Sequence, residues 1–263
     1  MIMKAEDYIA INKKTWNNKT EVHINSDFYD NERFLSGQSS LKDIELDLLG
    51  AISGKKILHL QCHFGQDTLS FARMGAKATG IDLAEKAKEF NQQLKLNASF
   101  ICCDVYDLPN HLDEKFDIVF TSYGTIGWLP DLNKWANVIS HFLKPDGKFV
   151  FVEFHPVVWM FDHNFKEIEF NYFNTEAIIE EFTGTYADKD APIETNSVTW
   201  NHPTSEVLNA LINNGLEIQS FEEYDYSPYN CFNQTEEFEP GKFRIKHLQN
   251  KIPMVFTLVA TKK

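Results

Sequence analysis

Between Lys56 and Phe154 the chain alternates short apolar runs with helix-patterned segments, and few folds accommodate that rhythm. Lys56–Gln61 (KILHLQ), Ala78–Asp82 (ATGID), Ser99–Asp104 (SFICCD), Phe116–Thr121 (FDIVFT) and Lys148–Phe154 (KFVFVEF) read as strands. Asp67–Met74 reads as a helix closed by Gly75, and Ala84–Leu96 as a second helix. Leu132–Leu143 is amphipathic and stops at the turn Pro145-Asp146-Gly147. Strands this apolar, joined by helices, imply an α/β fold with a doubly wound, mostly parallel sheet and helices on both faces. Right-handed crossovers then fix the winding.

The flanks are less regular. Tyr8 with Ile11, and Ile9 with Trp16, give a weak helical stripe broken by Asn17 and Asn18. A second helix follows Ser39-Ser40, with Leu41, Ile44, Leu48 and Leu49 on one face. Residues 156–200 interrupt the alternation with aromatic and acidic side chains and read as an insertion. Pro203–Asn214 is a helix ended by Gly215, and Leu216–Tyr226 and Pro253–Thr261 close the chain as strands. The 263 residues are thus expected to form one domain: a helical extension (1–50), a core (51–155), an insertion (156–200) and the end of the sheet (201–263).

Composition narrows the partners. Asp+Glu number 38 against 25 Lys+Arg, a net charge of −13 that repels phosphate backbones and argues against an extended nucleic acid. No apolar run approaches membrane-span length, and the N-terminus lacks a signal-peptide core. Cys62, Cys102, Cys103 and Cys231 show no disulfide spacing, so a reduced, cytoplasmic protein with a soluble small-molecule substrate is the simplest expectation.

In an open parallel sheet ligands bind beyond the carboxyl ends of the strands. Three strand ends draw notice here. Gln61-Cys62-His63-Phe64-Gly65-Gln66-Asp67 joins the first strand to the first helix, where backbone N–H groups favour an anion and Gly65 permits close approach. The same glycine also suits a plain turn. Asp82 ends the second strand, about 20 residues on, where a carboxylate accepts ribose hydroxyls; a helix cap is the plainer role. Asp104 ends the third strand, placed to accept an exocyclic amine or simply to be solvated.

Taken in order, ILHLQCHFGQDTLSFARMGAKATGIDL, CCDVYDLP, FDIVFTSYGTIGWL and FLKPDGKFVFVEF resemble the class I S-adenosylmethionine-dependent methyltransferases over roughly residues 50–155. The resemblance implies a seven-stranded sheet with one antiparallel strand and S-adenosyl-L-methionine as cofactor. It departs at the first motif: an acid and three glycines are usual, and His59, Gln61, His63 and Gly65 stand there, a glycine-poor form similar to one in bacterial members. Carried over by position, Gln61, Cys62, His63 and Gly65 line the methionine moiety, and Asp82 binds the ribose. Leu83 packs on the adenine, Asp104 and Val105 hold its edge, and Ser122 and Tyr123 sit beside the sulfonium.

Methyl transfer from a sulfonium is an in-line displacement that depends on alignment, and a base is needed only if the acceptor must lose a proton. Tyr123 and His155 are the catalytic candidates, with Glu153 and His202 nearby in the pattern; Glu153 and His155, two apart on one strand, are expected to share a face. Trp128, Glu153 and Trp16 are candidates for the acceptor side, although core packing also accounts for Trp128. His59, Cys62 and His63 invite a zinc reading, but strand alternation separates His59 from Cys62 and no metal is expected. Residues 156–200, with the loop Tyr224–Phe232, suit either a cover over the cleft or a homodimer surface. A nicotinamide-dependent oxidoreductase would want a fuller Gly-x-Gly-x-x-Gly and has no use for Asp104. A non-catalytic S-adenosylmethionine-binding protein remains the other alternative.

Overall fold

The computed structural model describes residues 7–83, 94–174 and 176–263. In chain order the strands are β1 (Lys56–His59), β2 (Lys77–Asp82), β3 (Ala98–Cys102), β4 (Phe116–Ser122), β5 (Leu143–Phe154), β6 (Ile178–Thr183), β7 (Glu194–Thr199), β8 (Leu216–Tyr224), β9 (Thr235–Glu239), β10 (Lys242–Ile245) and β11 (Val255–Lys262). The α-helices are α1 (Tyr8–His23), α2 (Asn31–Leu35), α3 (Asp43–Leu49), α4 (Gln66–Arg73), α5 (Leu132–Phe142) and α6 (Thr204–Asn213). The helix expected over 84–96 lies largely outside the described residues.

Seven strands form one sheet in the order β3-β2-β1-β4-β5-β11-β8. β11 runs antiparallel to both neighbours, and the β3-to-β5 pairs are parallel. Period-two alternation buries the central strands on both faces. On β4, Val119 packs with Trp135 and Ile139 of α5 and Leu211 of α6, while Ile118 and Phe120 pack with Leu49 of α3 and Phe71 of α4. β5 repeats the pattern, with Phe149 and Phe151 on the first face and Val150 on the second. The winding reverses between β1 and β4, so their following loops diverge and open a cleft. Among the described residues no helix is long and apolar enough to cross a membrane.

Two expectations need correction. Asn17 and Asn18 do not break the first helix: α1 runs unbroken for 16 residues. Its buried stripe is polar, comprising Asn12, Thr15, Lys19 and His23, while Ile9 is 42% exposed. An apolar-periodicity reading looks for the opposite face. The fifth strand begins at Leu143 rather than Lys148, because Pro145-Asp146-Gly147 forms an irregularity within it, with Asp146 at φ 60°. Within residues 156–200, β6 and β7 pair as an antiparallel hairpin, and β9 and β10 form another further on.

Candidate active site

The cleft at the carboxyl ends of β1, β2 and β4 is a cavity of about 1090 Å³. The loop after β1 makes its floor. Gln61, His63 and Gly65 all adopt left-handed φ values, 54°, 54° and 89°. These are the positions of the family's three glycines, so the glycine conformation persists where the glycines are gone. The strain of an L side chain there, roughly 1–3 kcal/mol each, is offset by contacts that glycine lacks. Gln61 Nε2 donates to the Thr125 carbonyl at 2.8 Å, bridging the β1 and β4 loops. His63 Nε2 lies 3.2 Å from His23 Nδ1, and its ring packs edge-on to Trp16 at 5.2 Å. The backbone N–H of His63 donates to Asp82 Oδ2 at 2.7 Å, so the carboxylate at the end of β2 holds the loop. Gln61 Oε1 is buried and has no hydrogen-bond partner among the described residues.

Leu83, Cys103, Asp104 and Val105 continue the wall past β2 and β3. Asp104 accepts the Tyr106 N–H at 2.7 Å, capping a 3-10 turn over Val105–Asn110, and burial pushes its carboxyl up. His59 is buried and bonded to Thr68 at 2.9 Å, with burial pushing its imidazole down to about 3. Cys62 is packed against Gly80, where an added Cβ would meet its Sγ at 2.8 Å. His59 and His63 thus have different partners, Thr68 and His23, and no metal-binding cluster occurs among the described residues.

On the far side Ser122 and Tyr123 end β4, and both line the cavity. The Tyr123 ring lies 5.4 Å from Phe154 and 5.0 Å from Tyr229. Its buried hydroxyl is directed toward Glu45 without closing a hydrogen bond, and burial, with the Glu45 carboxyl second, pushes it well above the ordinary tyrosine value. Tyr123 is therefore a neutral phenol. Trp128 packs 5.0 Å from Trp16 across the cavity wall, joining the β4 loop to α1.

Glu153 and His155 part company. Glu153, 1% exposed, accepts the N–H groups of Gly124, Thr125 and Ile126, the Thr125 hydroxyl and its neighbour Phe154 N–H. It moulds the β4 loop and does not orient His155. His155 does not line the cavity: Nδ1 accepts the Val157 N–H at 3.2 Å, and Nε2 lies 2.8 Å from Glu223 at the β8 edge. His202 does line the cavity, with its ring nitrogens taken up by Leu129 and Glu206.

The roof comes from α1 and the β6–β7 hairpin. The Asn12 side chain pairs with both backbone groups of Val198, at 2.8 and 3.0 Å, and Thr15 donates to the Asn196 carbonyl. Tyr186 and Tyr229 also line the cavity, and the Tyr186 hydroxyl bonds that of Tyr29. Lys19 and Tyr186 line the cavity and went unnoticed in the sequence, and Asp67, the end of the first strand-end loop, lines it too. Asp67 accepts from Ser40 at 2.6 Å, and burial pushes its carboxyl up. The polar residues of α1 spaced three to four apart were the available signal.

Residues 58–151 match the family model of a methyltransferase domain. An uncharacterised methyltransferase of Synechocystis sp. is 32% identical over 132 residues, 48% of this chain and 60% of that protein. A ubiquinone biosynthesis O-methyltransferase of Chromobacterium violaceum is 33% identical over 106 residues, 39% of this chain and 45% of that protein. The chain thus spans about half the length of the curated relatives it matches. Among solved structures, 1,6-didemethyltoxoflavin-N1-methyltransferase of Burkholderia thailandensis shares the fold, with a TM-score of 0.58 at 15% identity over 100% of this chain and 92% of that one. Sheet order and matched segment agree: residues 58–151 match a methyltransferase domain, and the seven-stranded sheet has the fold of solved S-adenosylmethionine-dependent methyltransferases.

Proposed function

We propose that the protein transfers a methyl group from S-adenosyl-L-methionine to a small-molecule acceptor. The observation that carries this is the loop after β1: three left-handed residues at the glycine positions, tied by the His63 N–H to Asp82. The cofactor fits the residues present. Gln61 Oε1, buried without a partner, suits its ammonium, and Asp82 suits the ribose diol. Leu83, Asp104 and Val105 line the wall where the adenine would lie. A cavity of about 1090 Å³ sits at the upper end of the roughly 300–1,000 Å³ typical of ligand pockets, room for cofactor and acceptor together.

When bound, the cofactor supplies a methyl group on a sulfonium that departs by in-line displacement. The protein's part is alignment and exclusion of water. Ser122 and Tyr123 stand where the β4 end meets the cleft, and Tyr29, Tyr123, Tyr186 and Tyr229 wall the acceptor side with aromatic surface. Aromatic faces attract a sulfonium. Burial keeps Tyr123 a neutral phenol, which offers a hydrogen bond and is not itself a base. Where the acceptor carries a proton, Asp67, with its carboxyl pushed up by burial, is the base that lines the cavity. The N1-methyltransferase named above is itself solved with S-adenosylhomocysteine and a small-molecule substrate.

Calorimetric titration with S-adenosylhomocysteine and, in parallel, with NADH tests the reading. Binding of the first and not the second is expected; no heat and no thermal shift with S-adenosylhomocysteine at saturation removes it.

A further inference from the structure

On α1, Lys19 is a lysine only 9% exposed, in a cavity wall, with neither hydrogen bond nor ion pair among the described residues. Its ammonium instead sits over three aromatic rings: Trp16 at 5.5 Å, Trp128 at 5.4 Å and Phe182 at 5.9 Å. An ammonium taken out of water needs an anion or strong acceptors, and cation–π contacts replace only part of its hydration. Glu180 on β6 acts on it electrostatically but lies beyond ion-pair distance. The free protein therefore holds a desolvated positive charge at the cavity wall with its counter-charge missing.

Position says which anion. Trp16 is the link: its ring packs on His63 at 5.2 Å on one side and on Trp128 at 5.0 Å on the other. The loop carrying Gln61 and His63 is the floor assigned above to an amino-acid tail, and Gln61 is bridged to Thr125, three residues before Trp128. His63 puts an imidazole where the resemblance has a glycine, and that ring meets Trp16 and His23 of α1. There the Lys19 ammonium lies over both rings of the tryptophan pair. Resting on the cofactor reading, we propose that Lys19 is the anchor for the carboxylate of the cofactor's methionine moiety, with Gln61 Oε1 receiving the ammonium of the same group. The zwitterion is thus held at its two ends by side chains, one from the β1 loop and one from the N-terminal helix. Binding the cofactor at the same time fixes α1 over the cleft.

The test compares S-adenosylhomocysteine with S-adenosyl-3-thiopropylamine, which is the same molecule without the carboxylate, by calorimetry on the parent, Lys19→Met and Lys19→Arg. In Lys19→Met, affinity for S-adenosylhomocysteine is expected to fall about 10- to 150-fold, the loss of one charge-assisted contact. Affinity for the decarboxylated analogue stays at the parent's value, and Lys19→Arg recovers most of the loss. Unchanged S-adenosylhomocysteine binding in Lys19→Met overturns the assignment. So does an equal loss for both ligands, which marks damage to the cavity instead of a lost carboxylate contact. If the parent binds neither ligand, the cofactor reading itself has failed, a result distinct from both.

Discussion

Nε2 of His63 lies 3.2 Å from Nδ1 of His23, and this one contact joins the cofactor loop to the last turn of the helix that roofs it. Burial pushes both imidazoles down, His23 to about 3, so the pair is neutral and one ring donates to the other. A glycine at 63, as the family pattern has it, would leave His23 without this partner.

Replacing His63 separates the contact from the backbone strain. His63→Ala keeps the left-handed residue and loses the pair, and should cost roughly 1–3 kcal/mol. His63→Gly loses the pair too but relieves the conformation at φ 54°, and should be milder by about 1 kcal/mol. Urea midpoints measure the difference, and amide exchange in α1 should quicken in both variants. Equal midpoints would show that position 63 carries no strain.

Asp82→Ala should weaken S-adenosylhomocysteine binding by about 10- to 150-fold, the loss of charge-assisted bonds. The variant also frees the His63 N–H, so loop order and ribose contact are lost together. The sheet should survive, since Asp82 ends its strand. Calorimetry with circular dichroism decides; parent-like affinity makes the ribose assignment wrong.

Glu153 and His155 should respond differently. Glu153→Ala strands the N–H groups of Gly124, Thr125 and Ile126 in a buried loop, at about 1–3 kcal/mol for each group left unpaired. A fall of several degrees or more in melting temperature is expected. His155→Ala should leave cofactor affinity and turnover near the parent's, because the ring does not line the cavity. Loss of turnover with intact cofactor binding in His155→Ala would return that residue to the reaction.

Glu45 gives the pH test. Burial raises its carboxyl from 4.5 to about 7, with Asp67 also raising it and the Tyr123 and Lys42 contacts lowering it. Between those values the folded state keeps a proton that the unfolded chain has lost, so this group's penalty grows as pH rises from 4.5 to about 7. Glu45→Gln removes the penalty. Its stability gain over the parent, at most about 3 kcal/mol, should be full above pH 7 and vanish toward pH 4.5 in denaturant titrations. A gain independent of pH would place the raised value elsewhere.

The strands, the sheet class and the strand-end positions of Asp82, Asp104 and Ser122 were legible because each depends on local pattern: period-two burial, turn residues and chain order. The partners of Glu153, which lines the cavity, were not legible for a reason of the same kind. Alternation along β5 shows that positions 153 and 155 share a parity, but not that the β4 loop would turn back to give Glu153 its N–H groups while His155 met Glu223. Lys19 was invisible, since a lysine in a polar helix is ordinarily solvated.

The sequence by itself determined the sheet and the sites at its strand ends, through hydrophobic periods and short-range chain geometry that act within a few residues. Only the tertiary structure decided what covers them. The polar stripe of α1 has no apolar signal to mark it as buried, and it becomes an inner face because Asn12 and Thr15 find the backbone of a hairpin more than 180 residues away. Long-range pairing of this kind satisfies buried polar groups that no local pattern can assign a partner. Through it Trp16, Lys19 and His23 are brought against a loop that the sequence had already marked.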